Sequence, residues 1–456
     1  MQINTCIDFF ASLIRPRPDD SGPAVRPKEK AMTTPAKTPL RQLARNRDFR
    51  LLLTASILSR LGDQFALIAT PWLVLQVSHD PMLLGLVLAL EGLPRAGVML
   101  LGGAVTDRIS PRRMMYLADA LRFALVGLMA AAVLGGQAGI PLILGFSLAF
   151  GTVAGFAVPA ETAILPLLVP ETALGAGNGV QMALTEVAAF VGPSLAGLLV
   201  GGAAAGADGT GWAYALDAAS FAASGLCLLF IRGGAAPAPA QGDDGLLAEI
   251  RDALAHVWHD GPMRMMFLLL AAVNFLLVGP LLVGIPLIAA GRLPQGATAF
   301  GLLMSAFSLG NLVGLAAAGV LPRPRAGAVR AILIALLFGF AAVLPALAVS
   351  RSIASDAAML AAVGLGNGYL AILLYTWLQG HTPRRMLGRV MSMLMLANIG
   401  LVPISQAVSG AVAAQSLTAL LGGSGLAVAA LAAWTMLHPC LAPICRALAA
   451  PTLAAQ

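Results

Sequence analysis

The stretch Gly103-Ala-Val-Thr-Asp107-Arg108-Ile-Ser-Pro111-Arg112-Arg113 decides how the rest of the chain is interpreted. It is a short polar segment between two apolar stretches, residues 82–105 and 114–134, each long enough to cross a bilayer as a helix. A charge cluster between two such helices must lie at a water interface, and its excess of arginine predicts the cytoplasmic side. The segment therefore predicts a cytoplasmic hinge in a membrane protein.

The composition agrees with a membrane location for most of the chain. Of the 456 residues, 58% are hydrophobic and 11% are charged, whereas a soluble globular protein carries about 25% charged residues. The net charge is +7, but the arginines lie in short loops between apolar stretches. The basic excess is therefore a signal of membrane topology, and no nucleic-acid partner is predicted.

Repeated apolar runs predict an all-α membrane protein with twelve transmembrane helices in two six-helix, pseudo-symmetric halves. The predicted spans are residues 51–76, 82–105, 114–134, 140–168, 174–201, 212–231, 265–289, 297–321, 329–348, 357–377, 387–413 and 417–437. Thirteen arginines fall in loops on one side and only Arg292 and Arg351 on the other. This bias predicts a multi-pass protein of the inner membrane with both termini in the cytoplasm.

Composition divides the chain into five segments. Residues 1–50 carry ten Lys/Arg and five Asp/Glu with several prolines, which predicts a disordered, basic, cytoplasmic arm; Met32 would serve equally well as a start. Residues 51–231 form the N-terminal half and 264–440 the C-terminal half. Between them, residues 232–263 form a cytoplasmic linker whose apolar residues recur at helical spacing, which predicts an amphipathic surface helix. Residues 441–456 form a cytoplasmic tail.

The two halves resemble each other, and the hinge resembles a family signature. Pro71 and Gly85 in the first half have counterparts in Pro286 and Gly301 at nearly equal spacing. The pattern G-x-x-x-D-R-x-x-x-R-R after the second span resembles the loop 2–3 signature of the major facilitator superfamily of transporters. The resemblance implies a monomeric carrier that works by alternating access, with its small-molecule site between the halves near mid-bilayer.

The resemblance also implies a role for the hinge. In such transporters the Asp that corresponds to Asp107 contacts the start of span eleven and so holds the two halves together on the cytoplasmic side. Here that start is Leu387-Gly388-Arg389, which offers a helix N-terminus and a cation to an anion. The predicted cytoplasmic gate comprises Gly103, Asp107, Arg108, Arg112 and Arg113.

A second stretch resembles one branch of this superfamily. Pro159-Ala-Glu161-Thr-Ala-Ile-Leu-Pro166, with Gly192-Pro193 further on, is similar to the span 4–5 region of enterobactin and other siderophore exporters and of macrolide efflux proteins. Where those relatives usually carry Arg, this chain has Glu161, so a charge contact there is altered or inverted. Gly192-Pro193 is expected to act as a hinge in span five, because proline removes one backbone hydrogen bond.

Six charged residues are predicted to lie inside the membrane, where charge is costly and usually functional. They are Asp63, Glu91, Arg95, Asp119, Arg122 and Glu186. Three pairs are spaced to neutralise themselves on one helix face: Arg60 with Asp63, Glu91 with Arg95, and Asp119 with Arg122. Glu186 has no such partner on its own helix, although Arg95 or Arg122 could pair with it from a neighbouring helix. We therefore expect Asp63, Glu91 and Glu186 to include the proton-coupling site.

The C-terminal half supplies uncharged polar residues instead. Asn274, Asn311, Asn367 and Tyr375 are the candidates for lining the substrate cavity, and helix–helix hydrogen bonds are the alternative for these side chains. After Asp260 the only acidic residue is Asp356, expected at a loop edge. Protonatable carboxylates inside the membrane are therefore expected in the N-terminal half.

These observations predict a secondary transporter that exports a small organic molecule, favoured to be a siderophore, in exchange for protons. A multidrug or macrolide efflux pump, a lysophospholipid transporter and a transport-dead membrane sensor are the alternatives. The chain contains neither H-E-x-x-H nor G-x-x-x-x-G-K-[ST]. No enzyme activity is predicted, and no catalytic residue, metal or cofactor is assigned.

Overall fold

The computed structural model describes the backbone of residues 39–202, 208–233, 254–255, 257–322, 324–382 and 386–449. Side chains are described in these ranges except at 39–40, 100–108, 387–389, 392, 396 and 399. The helices are α1 Pro39–Arg45, α2 Arg47–Ser78, α3 Pro81–Arg108, α4 Pro111–Leu134, α5 Ile140–Leu168, α6 Glu171–Gly201, α7 Gly209–Leu229, α8 Gly261–Arg292, α9 Ala297–Val320, α10 Ala326–Val349, α11 Ile353–His381, α12 Leu387–Gln415, α13 Leu417–Leu437 and α14 Leu441–Ala449.

Twelve of these helices, α2 to α13, are long and apolar enough to cross a membrane. They confirm the predicted all-α fold class and the number of spans. Helices α2–α7 make up the N-terminal half and α8–α13 the C-terminal half. We call the side with the connections at 79–80, 135–139, 293–296, 350–352 and 416 the far face, and the side with α1 and α14 the near face.

Local chemistry explains where several helices begin. The side chain of Asn46 accepts a hydrogen bond from Phe49 N at 3.2 Å, and Asp260 Oδ1 accepts one from Met263 N at 2.8 Å; both cap a helix N-terminus. Pro111 is the first residue of α4, a position where its missing N–H has no cost. His79 ends α2 in the left-handed conformation, with φ 55°. These signals limit the loops to a few residues.

The arm predicted to be disordered through residue 50 is helical from residue 39 onward. Leu43 on α1 and Phe49 on α2 are buried, and α1 packs against α6. Asp48 accepts hydrogen bonds from the backbone N–H groups of Arg232 and Gly233. Burial of apolar side chains, which a basic charge count does not reveal, orders this segment. Residues 1–38 lie outside the described part of the chain.

The hinge is more helical than its sequence predicts. Helix α3 continues to Arg108 and α4 begins at Pro111, so residues 109–110 alone separate them. Arg112 on α4 donates a hydrogen bond to Ile231 O at the end of the sixth span. The side chains of Gly103, Asp107 and Arg108 lie outside the described part. So do most of the linker and its predicted amphipathic helix.

The halves meet closely at the far face, through α6 with α9 and α3 with α12. A Cβ on Gly197 would lie 2.8 Å from Ala297 O and 2.9 Å from the Cα of Gly301. On the other side of the bundle, a Cβ on Gly85 would lie 2.7 Å from the Cα of Gly410. Glycine permits this approach of backbone to backbone, as it does between other membrane helices.

Candidate functional site

An ion pair between α2 and α5 links two predicted features. Arg60 binds the carboxylate of Glu161, and Asp63 adds attraction to the same guanidinium. The prediction that Asp63 is the main partner of Arg60 is wrong, because the packing of α2 against α5 brings Glu161 closer. Glu161, at the position where the sequence resemblance predicts an arginine, thus pairs with an arginine of another helix.

A second cluster lies next to this pair, between α4 and α7. Asp119 and Arg122 are both buried, with 4.0 Å between Oδ1 and Nη1, as their spacing predicts. The Oγ of Ser224 donates to Asp119 Oδ2 at 2.6 Å. The guanidinium of Arg122 also lies over the ring of Phe221, 5.3 Å from its centroid. Its charge is therefore balanced within the N-terminal half by one carboxylate and an aromatic face.

The predicted pair on α3 is present as well. Arg95 binds the carboxylate of Glu91 one helical turn away, and both side chains are partly exposed. Glu91 therefore has an arginine beside it, which distinguishes it from Glu186.

Glu186 makes its contact with the other half of the protein. Its Oε2 accepts a hydrogen bond from Asn311 Nδ2 at 3.1 Å, and Asn311 Oδ1 accepts one from Asn367 Nδ2 at 2.9 Å. Neither Arg95 nor Arg122 pairs with it, and none of the described arginines forms an ion pair with this carboxylate. The three side chains form a relay that runs from α6 through α9 to α11.

The Gly-Pro element of α6 lies one to two turns beyond Glu186, where the halves touch. A Cβ on Gly192 would lie 2.5 Å from the Cβ of Gln64, so this glycine allows α2 to approach. Next to Pro193, Ser194 Oγ donates to Ser305 Oγ at 2.7 Å. The element thus lies at the junction of both halves.

Asn274 contacts another helix of its own half rather than the interface between halves. It opens a π-helical turn, Asn274–Val278, in the middle of α8. Its Nδ2 donates to Leu270 O at 3.0 Å and to Asn398 Oδ1 at 3.2 Å. The Oγ of Ser405 donates to Phe275 O in the same turn. Side chains from α12 therefore bind the polar groups at this irregularity, a feature frequent at functional sites.

A cavity of about 270 Å³ lies inside the C-terminal half, between α8, α10, α11 and α12. Its wall is mainly leucine and other apolar side chains, and Leu448 of α14 contributes to it from the near face. Asn367, Tyr375 and Asn398 are its polar lining residues. Two of the four predicted cavity residues, Asn367 and Tyr375, thus line a cavity, and Asn311 and Asn274 each lie one hydrogen bond away from its wall.

Two buried carboxylates were missed or misplaced by the sequence interpretation. Asp217 on α7 is fully buried and neither of its oxygens has a hydrogen-bond partner in the described part of the chain. An acid in the middle of an apolar span was the signal that should have identified it. Asp356, expected at a loop edge, lies in the first turn of α11 and is fully buried, because the helix begins at Ile353.

Residues 52–405 match the family model of the Major Facilitator Superfamily, which is more than half of the chain. The chain belongs to this superfamily. Its twelve candidate spans make it a multi-pass membrane protein.

Individual relatives are similar at modest identity. The multidrug efflux pump Tap of Mycobacterium tuberculosis is 31% identical over 219 residues, which cover 46% of this chain and 50% of that protein. The match thus spans about half the length of that relative. The enterobactin exporter EntS of Salmonella typhimurium is 27% identical over 402 residues, covering 83% of this chain and 90% of that protein.

A solved structure shows the same fold at low sequence identity. A mutant form of the nucleoside transporter NupG superposes with a TM-score of 0.66 at 12% identity. The superposition covers 86% of this chain and all of that one.

Proposed function

We propose that this protein exports a small organic molecule across the inner membrane in exchange for protons, and that Glu186 carries the coupling proton. The observation that supports this is the contact of Glu186 with Asn311 across the two halves. Ionised, the carboxylate accepts a hydrogen bond from the opposite half. Protonated, it loses its charge, so the contact between halves weakens as the proton binds. Protonation thereby changes the relative stability of the two arrangements that alternating access requires.

The position of Glu186 supports this role over the acids that lie beside an arginine. Glu91 and Glu161 each have an arginine partner, so loss of either charge would leave an unpaired cation in the membrane. Glu186 is bound by a neutral amide, and protonating it leaves no charge uncompensated. Asp63, which lies near Arg60, shares the disadvantage of the paired acids.

Purified protein in liposomes tests the coupling. The protein is inserted into liposomes with its cytoplasmic side facing outward. An imposed pH gradient should then drive the uptake of at least one compound from a panel of hydrophobic antibiotics and catecholate siderophores. Glu186→Gln should reduce this uptake to the level of empty liposomes and abolish the accompanying proton movement. Glu171→Gln, an exposed acid in the first turn of the same helix, is the control and should transport normally. Gradient-driven uptake by Glu186→Gln would rule the proposal out.

Two substrate classes remain candidates within this function, and each has its own support. The apolar wall of the cavity in the C-terminal half favours a hydrophobic drug-like molecule. The sequence interpretation favours a siderophore, and the similarity to an enterobactin exporter over 83% of the chain supports that choice. The geometry favours the first class. Culture supernatants of a deletion strain under iron starvation distinguish them, since only siderophore export predicts loss of a secreted chelator.

A further inference from the structure

The cavity in the C-terminal half has a counterpart in the N-terminal half that is filled. In the N-terminal half, a small crevice between α2, α4, α5 and α7 is lined by Arg60, Asp119, Glu161 and Ser224. Its volume is about 10 Å³, against about 270 Å³ for the cavity. Both lie between the first, third and fourth helices of their half.

The charged residues that line the crevice have uncharged counterparts in the C-terminal half. Glu161 of α5 corresponds to Leu374 of α11 when each residue is counted from the first residue of its helix. The same count gives the counterparts of the other two charged residues, which are Asn274 for Arg60 and Ile334 for Asp119. Where the N-terminal half places three charged side chains, the C-terminal half has one amide and two aliphatic groups, and of these Leu374 lines the cavity.

The chemistry of the cavity wall defines what fits there. The described lining contains no Asp, Glu, Lys or Arg, so an ionised group would be buried without a partner, which is costly. Asn367, Asn398 and Tyr375 provide hydrogen bonds to a few polar atoms. A cavity of this size and character is near the lower limit of small-molecule sites.

The cavity is also connected to the carboxylate that carries the proposed function. Asn367 lines the cavity and donates to Asn311, which donates to Glu186. A molecule that hydrogen-bonds Asn367 would therefore alter the amide that binds Glu186. Two hydrogen bonds therefore separate the cavity wall at Asn367 from the carboxylate of Glu186.

We propose that this cavity within the C-terminal half binds the uncharged, largely apolar part of the transported molecule, and that Asn367 and Asn311 relay its presence to Glu186. The inference rests on the proposed function for its ligand, and on the cavity alone for its position. It predicts that uncharged hydrophobic molecules are preferred over charged ones of equal size.

Photolabelling locates the site independently of transport. With a neutral aryl diazirine as the probe, labelling of residues 366–375 in the purified protein should saturate with probe concentration, whereas labelling of lipid-facing residues should rise linearly. Ala371→Phe fills the cavity and should weaken the saturable labelling about tenfold. Leu365→Phe, on the exposed side of the same helix, should not. Val273→Phe fills the cavity from α8 and replaces Ala371→Phe if that variant does not fold.

Export of the neutral dye Nile red by energised cells completes the test. Ala371→Phe should lower the rate about tenfold and Leu365→Phe should leave it unchanged. Equal labelling of the filled and wild-type proteins would overturn the site, as would equal rates of export where the wild type exports the dye, or displacement of the probe by oleic acid but not by the dye. If labelling is saturable and lost in Ala371→Phe while the wild-type protein exports no dye and takes up no compound of the liposome panel, the site stands and the proposed function fails.

Discussion

At the scale of single residues, the pair Arg60–Glu161 shows how packing between two helices supplies a partner for an acid in a predicted membrane span. Desolvation of two charges costs free energy, and their mutual attraction offsets this cost only while both partners are present. Residues 60 and 161 therefore form one unit: a change at Arg60 leaves Glu161 without its arginine, and a change at Glu161 leaves Arg60 with the weaker attraction of Asp63 alone.

We expect Glu161→Arg to lower the melting temperature of the purified protein by about 5 °C, because it places two guanidinium groups together. The exchanged variant Arg60→Glu/Glu161→Arg should recover at least half of the loss. Arg50→Glu, at an exposed position near the start of α2, is the control and should melt like the wild type. Thermal unfolding in detergent, followed by intrinsic fluorescence, measures the difference. A double variant no more stable than the single one would show that the pair does not contribute.

Two of the three pairs predicted within one helix are present, whereas the pairs between helices were not predicted. The spacing of Asp119 with Arg122 and of Glu91 with Arg95 placed each pair on one face, as observed. The partners of Glu161 and Glu186 are 101 and 125 residues away in sequence. Such contacts depend on how helices pack, which spacing along one helix does not specify.

At the scale of helices, the junction of α6 and α9 depends on glycine. Gly197 and Gly301 let the two backbones touch, and Ser194 with Ser305 adds a hydrogen bond beside them. In a membrane, where lipid is as apolar as the helices, such close packing supplies much of the attraction between them. A single methyl group at this point should therefore separate the halves at the far face.

We expect Gly197→Ala to increase access to the junction. In a background without native cysteines, Ser194→Cys should react several-fold faster with a membrane-impermeant maleimide once Gly197→Ala is added. Gly145→Ala is the control, since a Cβ there meets nothing within 4 Å. Labelling rates in intact cells measure the effect. An unchanged rate would mean that the junction adapts to the methyl group without opening.

Hydrophobic run length predicted the twelve spans well, because bilayer thickness fixes how long each helix must be. It did not predict that α3 extends to Arg108, since helices continue beyond the hydrocarbon layer where the sequence is polar. Nor did it predict the π turn in α8, which shows no composition signal of its own.

At the scale of the whole molecule, the two halves share a fold and differ in chemistry. Charge fills the crevice of the N-terminal half, while the C-terminal half keeps an apolar cavity. The hydrogen bond from Asn311 to Glu186 connects the two halves. Under the proposed function, one half would respond to protons and the other to the molecule that is moved.

The hinge should control this movement, as its resemblance to the family signature implies. We expect Asp107→Asn to lower the turnover of purified protein in liposomes about tenfold, at near-normal expression, because one charged contact at the cytoplasmic gate is lost. Asp80→Asn, an exposed acid on the far face, is the control. Turnover equal to that of the wild type would remove Asp107 from the gate.

The π turn in α8 offsets the sequence of this helix by one residue relative to its counterpart α2. Pro286 lies one position further from Gly261, the start of α8, than its counterpart Pro71 lies from Arg47, the start of α2. A π turn holds one residue more than an α turn, and Asn274–Val278 lies between the start of α8 and Pro286. The π turn thus accommodates one extra residue in α8 relative to α2 without shifting the register of the helix beyond it. An alignment of the two halves therefore needs a one-residue gap at this turn.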